Sequence, residues 1–277
     1  MVASFVVVPQ WQGSGSARAM RLVDGTDAIR GDLPSALTRA VMVPLEAGDA
    51  QGSGIHRMSS IAVVRDRLSE ALADIAGPAI TIGGDCGVEL GALGHVLAAP
   101  GGDSVAVVWF DAHPDLNTPE SSPSGAFGGM VLRTLLGDGP AALVPPTPLR
   151  ADRLVLVGAR AFDPAEDEFL AGTKIRRIEA SKASAKSLVA AVKQTGASSV
   201  YLHIDLDVLD PGEFTGLSYP EPFGLGADTL IDSIKALVAA SPLAGAGITE
   251  FAPASVNEAV DDMPTILRIV GALTSVH

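Results

Sequence analysis

Short, dense apolar runs recur along the chain, and most are followed by a stretch with helical spacing. The runs Phe5–Val8, Ala79–Ile82, Val105–Phe110, Leu154–Val157, Val200–Leu206 and Gly247–Phe251 are rich in Val and Ile and mostly do not alternate with polar residues. That pattern predicts parallel strands covered on both faces. Helices are predicted over Ser60–Ile75, Val88–Leu97, Ser184–Gln194, Asp228–Ala240 and Pro264–Thr274. In the first of these, Ile61, Val64, Leu68, Leu72 and Ile75 fall on one helical face. Repeated strand-then-helix order predicts a doubly wound, mainly parallel α/β sheet with helices on both faces.

Composition sharpens this picture. With 277 residues, 47% of them hydrophobic and 18% charged, the chain can fill a sizeable core, and general disorder is excluded. No long linker interrupts the pattern, and the Pro- and Gly-rich segment Asp138–Asp152 is short. A single domain over 1–277 is therefore expected. No apolar stretch approaches the roughly 18 residues of a membrane helix. Met1–Gln10 is apolar but lacks a basic lead and a small-residue cleavage pattern, so no signal peptide is expected. A single cysteine, Cys86, rules out an intrachain disulfide and fits a cytoplasmic protein. The net charge of −13 opposes binding to nucleic acid or anionic membranes. It favours a small cationic ligand only weakly, and a solvated acidic surface is the simpler account.

Ligands of open parallel sheets gather beyond the carboxyl ends of the strands, so polar residues just after an apolar run are the first candidates. Val105–Phe110 leads into Asp111, His113 and Asp115; Val200–Leu206 contains Asp205 and leads into Asp207 and Asp210; Ala79–Ile82 leads into Gly83-Gly84-Asp85-Cys86. Residues two apart on an extended chain share a face, which would let Asp205 and Asp207, or Asp111 and His113, point together. Carboxylates aimed at one place repel one another unless a cation joins them. Oxygen-rich ligation with one imidazole suits Mn²⁺, and two cations sharing carboxylates can hold a hydroxide for hydrolysis. Each motif alone also reads as a cap or turn, Asp85 as a helix cap in particular. Their joint occurrence after three apolar runs favours a site.

At these residues the sequence resembles the ureohydrolases, the family of arginase, agmatinase and formiminoglutamase. The family's Asp-Ala-His-X-Asp motif is matched by Asp111–Asp115. Its Ser-X-Asp-X-Asp-X-X-Asp-Pro motif is matched from Asp205 to Pro211, with His203 at the serine position. Trp109–Pro119 followed by Ser122-Pro123-Ser124-Gly125 is similar to bacterial arginases almost residue for residue. The resemblance implies a three-layer α/β/α fold, assembled into homotrimers or homohexamers. It also implies two Mn²⁺ ions that convert a small guanidino compound to urea and an amine. Asp111 and Asp205 would bridge the ions, Cys86 and Asp115 would complete one site, and His113 and Asp207 the other. Asp115 would orient the nucleophile, and Glu250 would grip the guanidinium. Asn117, Ser124 and Asp163 would contact the amino-acid end, with Glu166 beside them.

Two departures from the pattern stand out. Cys86 replaces a metal-ligating histidine, and Gly128 falls where arginases carry a proton-shuttling histidine. Cys86 is either a thiolate ligand favouring Zn²⁺ or Fe²⁺ or a buried thiol that leaves one site weak. His203 is read as a packed group in preference to a metal ligand, the other reading its position allows, with a supporting hydrogen bond to Asp205. The competing readings are a catalytically weak or inactive ligand-binding relative, and a hydrolase of formimino or acylated amines.

Overall fold

A computed structural model describes residues 3–275; Met1, Val2, Val276 and His277 lie outside it. Eight strands form one sheet: β1 (Ser4–Val8), β2 (Thr38–Ala40), β3 (Ala79–Gly83), β4 (Val105–Phe110), β5 (Leu154–Val157), β6 (Arg176–Ile178), β7 (Ser199–Asp205) and β8 (Leu243–Thr249). Their order is β2-β1-β3-β8-β7-β4-β5-β6. Every pairing is parallel, so the sheet is more uniform than the sequence required.

Because the central strands are buried on both faces, alternate residues feed two cores. Val108 and Phe110 of β4 face one cluster with Ile82 and Ile204. That side is covered by α1 (Arg21–Gly31), α6 (Ala185–Thr195), α7 (Ala227–Ala240) and α8 (Val256–Leu273). Val107 and Trp109 face the other cluster, beneath α2 (Met58–Ala73), α3 (Glu89–Ala98) and α4 (Val131–Leu135). A further helix, α5 (Pro164–Ala171), follows β5. These are the three layers. Within the Asp138–Asp152 segment, Leu143 and Leu149 are buried in the second cluster.

Two boundaries differ instructively from the sequence pattern. The last helix starts at Val256, two turns before the proline taken as its first residue, because the Ser255 side chain accepts from the Glu258 N–H and caps it there. Pro264 is thus inside a helix, where it gives up one backbone hydrogen bond. The final strand ends at Thr249 rather than Phe251, because Glu250 turns to φ +64. The short edge strands β2 and β6 and helices α1, α4 and α5 carried no strong periodic signal. Among the described residues no helix is long and apolar enough to cross a membrane.

The turn after β3 is locked to the turn after β1. Gly84 N–H donates to the Val8 carbonyl (3.0 Å) and Asp85 N–H to the Gln10 carbonyl (2.9 Å). A Cβ on Gly84 would stand 1.7 Å from the Gln10 carbonyl oxygen, which is backbone and cannot rotate away. Gly84→Ala is therefore expected to destabilise the fold by about 2–3 kcal/mol in chemical denaturation, whereas Gly94→Ala, with open space around it, serves as the control and should match or exceed the parent.

Candidate metal centre and substrate pocket

The four central neighbours in the sheet, β3, β8, β7 and β4, deliver the candidate residues from their carboxyl ends. Asp85 and Cys86 follow β3, Asp111 follows β4, Asp205 ends β7, and Glu250 follows β8. Cys86, Asp111, Asp115, Asp205, Asp207 and Glu250 are all buried, none more than 6% exposed.

The aspartates converge through turns, not through the strand pleat that the sequence suggested. β4 stops at Phe110, and Asp111 Oδ1 accepts from the His113 N–H (2.6 Å). β7 stops at Asp205, whose Oδ1 accepts from the Asp207 N–H (2.7 Å). Aspartate favours such bonds to the amide two residues on. Asp207 Oδ1 accepts from the Ala112 N–H (2.9 Å), and its Oδ2 lies 2.9 Å from His113 Nδ1. These bonds tie the two loops together. Trp109 Nε1–H donates to Asp111 Oδ2 (3.0 Å), and the Cys86 thiol to Asp205 Oδ2 (3.0 Å). Asp115 and Glu250 hold left-handed backbone at φ +54 and +64, a cost of order 1–2 kcal/mol for each non-glycine residue. Strain of that kind concentrates at functional sites.

Electrostatics shows what the cluster lacks. Burial, reinforced by neighbouring carboxylates, pushes Asp115, Asp205 and Glu250 well above the usual carboxylate range, and Asp207 upward as well. Burial and the same negative charges push the Cys86 thiol up. Burial acts on Asp111 too, yet the attraction of the nearby His113 and His203 outweighs it and moves Asp111 the other way. Burial opposes the His113 cation, yet bonds to Asp111 and Asp207 lift its pKa to about 12. Asp115 Oδ2 and Glu250 Oε2 are buried with no hydrogen-bond partner among the described residues, and such atoms require an explanation.

Ligand-capable atoms fall into three sets, each within 4.8 Å: Cys86, Asp111, Asp115 and His203; Cys86, Asp205 and Glu250; Asp111, His113 and Asp207. A divalent cation fits this donor chemistry, since it would offset the mutual repulsion of the carboxylates and lie beside the open Asp115 oxygen. Asp85 lies apart from these sets. It accepts from Gln10 Nε2, Gly13 N–H and Gly87 N–H, and is the cap that its sequence position also allowed, with a pKa raised to about 6 by burial.

The cluster floors a cavity of about 290 Å³ whose walls include Asn117, Ser124, Gly128 and Asp163. Asn117 Nδ2–H donates to Asp163 Oδ2 (2.8 Å), and Ser124 Oγ accepts from the Ala126 N–H (3.2 Å). Glu166 also lines the cavity, but both its oxygens are engaged, by the Leu116 and Asp163 amides (each 2.9 Å). It caps α5 and pins the loop after β4 at Leu116. Arg160 is a structural latch, donating to the carbonyls of Gly158, Asp207 and Glu221.

Two features escaped the sequence reading. Gly13, Ser14, Gly15 and Tyr219 complete the cavity wall; the glycine-serine run follows an apolar strand and met the strand-end criterion, whereas nothing marked Tyr219. His203 does not support Asp205 as expected. Its Nδ1 faces Glu89 Oε1 (2.9 Å), and its Nε2 lies 3.8 Å from Asp111 Oδ2 and from Cys86 Sγ.

Comparison with known proteins places this geometry. Residues 24–267 match the model of the Arginase family. An arginase of Entamoeba histolytica is 30% identical over 219 residues, spanning 76% of this chain and 74% of that protein. An N(omega)-hydroxy-L-arginine amidinohydrolase of Streptomyces lavendulae is 31% identical over 268 residues, spanning 94% and 90%. Among solved structures, the Entamoeba histolytica arginase in complex with L-ornithine shares the fold with a TM-score of 0.87 at 24% identity, over 99% of this chain and 98% of that one.

The electrostatics generate a pH dependence. Carboxyls whose folded pKa lies above the unfolded value of about 4 stabilise fully below that value and lose the contribution as pH rises through the folded pKa. Asp115, Asp205, Asp207 and Glu250 all shift this way; Asp111 opposes them. Chelator-treated protein should therefore melt at lower temperature near pH 8 than near pH 5.5, and Mn²⁺ or Zn²⁺ should raise the melting temperature more at the higher pH. Calorimetric scans showing the opposite slope would remove the basis for this reading.

Proposed function

This chain belongs to the arginase family, and from that premise we propose that it hydrolyses a guanidino or amidine C–N bond with the help of divalent cations. The observation that supports the reading best is the pair of buried, partnerless oxygens, Asp115 Oδ2 and Glu250 Oε2, on the floor of a cavity walled by polar residues. We assign two cations to Cys86, Asp111, His113, Asp115, Asp205 and Asp207. Mn²⁺ suits the oxygens, and Zn²⁺ or Fe²⁺ suits the sulfur. When bound, such ions supply Lewis acidity and a water-derived nucleophile near neutral pH.

The chain's own residues would bind and orient. Glu250 Oε2 accepts a guanidinium N–H, a charge-assisted bond inside a buried site. Asp115 Oδ2 accepts a hydrogen bond from the attacking water. Asn117, Ser124 and Asp163 hold the α-amino and carboxylate end of an amino-acid substrate. Asn117 and Asp163 are already joined, so their geometry is set before substrate arrives. The departing amine needs a proton, and Gly128 brings no titratable side chain to its part of the wall. A single ureohydrolase-like domain over 1–277, a cytoplasmic location and a homotrimer or homohexamer belong to the same reading, supported by the family alone.

A particular substrate deserves a place beside L-arginine. The Streptomyces lavendulae relative, which aligns along 94% of this chain, acts by its name on an N-hydroxylated arginine, and the same pocket chemistry would hold that compound. The metal-loaded protein should release urea or hydroxyurea from at least one of L-arginine, agmatine and Nω-hydroxy-L-arginine. Asp205→Ala should lower turnover by at least about 10³-fold, the scale of losing transition-state electrostatics. Tight binding without turnover of any of the three would contradict the proposal.

A Cβ at Gly128, on the cavity wall, meets only the Gly13 carbonyl oxygen, at 3.4 Å, so the backbone there admits a side chain. Gly128→His is expected to raise kcat on the preferred substrate by about 10-fold or more, toward the range supplied by general acids. An unchanged kcat with unchanged KM would show that proton delivery at this position does not limit turnover.

A further inference from the structure

Three side chains beneath the centre have no part in the reading above. Glu89, at the start of α3, is fully buried. Its Oε2 accepts from the Tyr201 hydroxyl (2.6 Å), and its Oε1 lies 2.9 Å from His203 Nδ1. Room for this carboxylate comes from Gly247 on β8, where a Cβ would stand 1.7 Å from Glu89 Oε1. The indole of Trp109 stacks on the His203 ring, with centroids 3.6 Å apart and planes 22° from parallel. One nitrogen and one face of the imidazole are thus fixed.

A carboxylate that accepts a hydrogen bond from Nδ1–H leaves the Nε2 lone pair free, the arrangement that typifies metal-bound histidine. Nε2 stands 3.8 Å from Cys86 Sγ and 3.8 Å from Asp111 Oδ2, too far for a nitrogen–oxygen hydrogen bond. The gap suits a shared ion, because two donors on one tetrahedral ion stand about 3.5 Å apart. Donor atoms of Cys86, Asp111, Asp115 and His203 lie within 4.8 Å of one another, and Asp115 also brings its partnerless oxygen.

We propose that His203 Nε2 is a ligand of the cation held by Cys86, Asp111 and Asp115. The sulfur of Cys86 and the nitrogen of His203 would then face the same ion from β3 and β7. Glu89 and Tyr201 are positioning residues, acting through the ring. The resulting set of one sulfur, one nitrogen and carboxylate oxygens favours Zn²⁺, Fe²⁺ or Co²⁺ over Mn²⁺ at this position. The inference rests on the metal-centre reading above.

Crystals of the full chain loaded with Zn²⁺ or Co²⁺, with anomalous data at the metal edge, test it. An ion bonded at once to Cys86 Sγ at about 2.3 Å and to His203 Nε2 at about 2.0–2.1 Å is expected. In solution, His203→Ser should weaken one class of bound ion by more than about 100-fold, beyond what losing a residue that merely supports a ligand costs, and the exchange Cys86→His with His203→Ser should restore it. Ions bound with Nε2 outside their shell would overturn the His203 assignment while leaving the metal centre intact. Failure of the parent protein to bind any ion would overturn both. Should His203→Ser not fold, the parent's ion shell alone decides.

Discussion

Carboxylates taken out of water lose hydration and repel their neighbours, and Asp111, Asp115, Asp205, Asp207 and Glu250 undergo both within one small volume. The chain tolerates this by fixing the carboxylates with backbone amides where it can. Asp111, Asp205 and Asp207 each accept at least one main-chain N–H. Asp115 and Glu250 retain an oxygen with no such bond, and their left-handed backbones aim them into the cavity. The two residues with the least local compensation are thus those assigned to the reaction itself. A divalent cation would offset the repulsion among the carboxylates, and a cationic substrate would give the Glu250 oxygen its partner.

The remaining architecture follows from holding that cluster rigid. Four adjacent parallel strands give a common floor, and both of their faces are buried, so no strand end can drift independently. The loops above are pinned by polar side chains turned inward: Glu166 beneath the substrate loop, Arg160 across the turn after β7, and Asp85 between the turns after β1 and β3. Such buried polar bonds are stabilising only when complete. These three are well satisfied, in contrast to the open oxygens of the centre.

Much of this was legible in the sequence because the physics is local. Dense Val and Ile runs marked the central strands to within a few residues, and polar residues at their carboxyl ends marked the site. The edge strands β2 and β6, only three residues each, bury too little to leave a pattern. The pairing of Asp205 with Asp207 was anticipated but by the wrong route, since the aspartates' own bonds to the backbone end the strands early. Pro264 misled for a related reason: a serine cap upstream outweighed proline's preference for a first turn. His203 was misread because the partner that orients it, Glu89, is 114 residues away, and its tight fit depends on Gly247 on another strand. Sequence spacing carries no trace of such a contact.

The central claim is that the buried carboxylates exist to hold divalent cations. Calorimetric titration of the chelator-treated protein with Mn²⁺ or Zn²⁺, repeated in buffers of different ionisation enthalpy, tests it most directly. The account predicts saturation near two ions per chain with net release of protons, because the raised carboxyls and the Cys86 thiol must ionise to bind. Absence of saturable binding, or binding with no proton released, would contradict it.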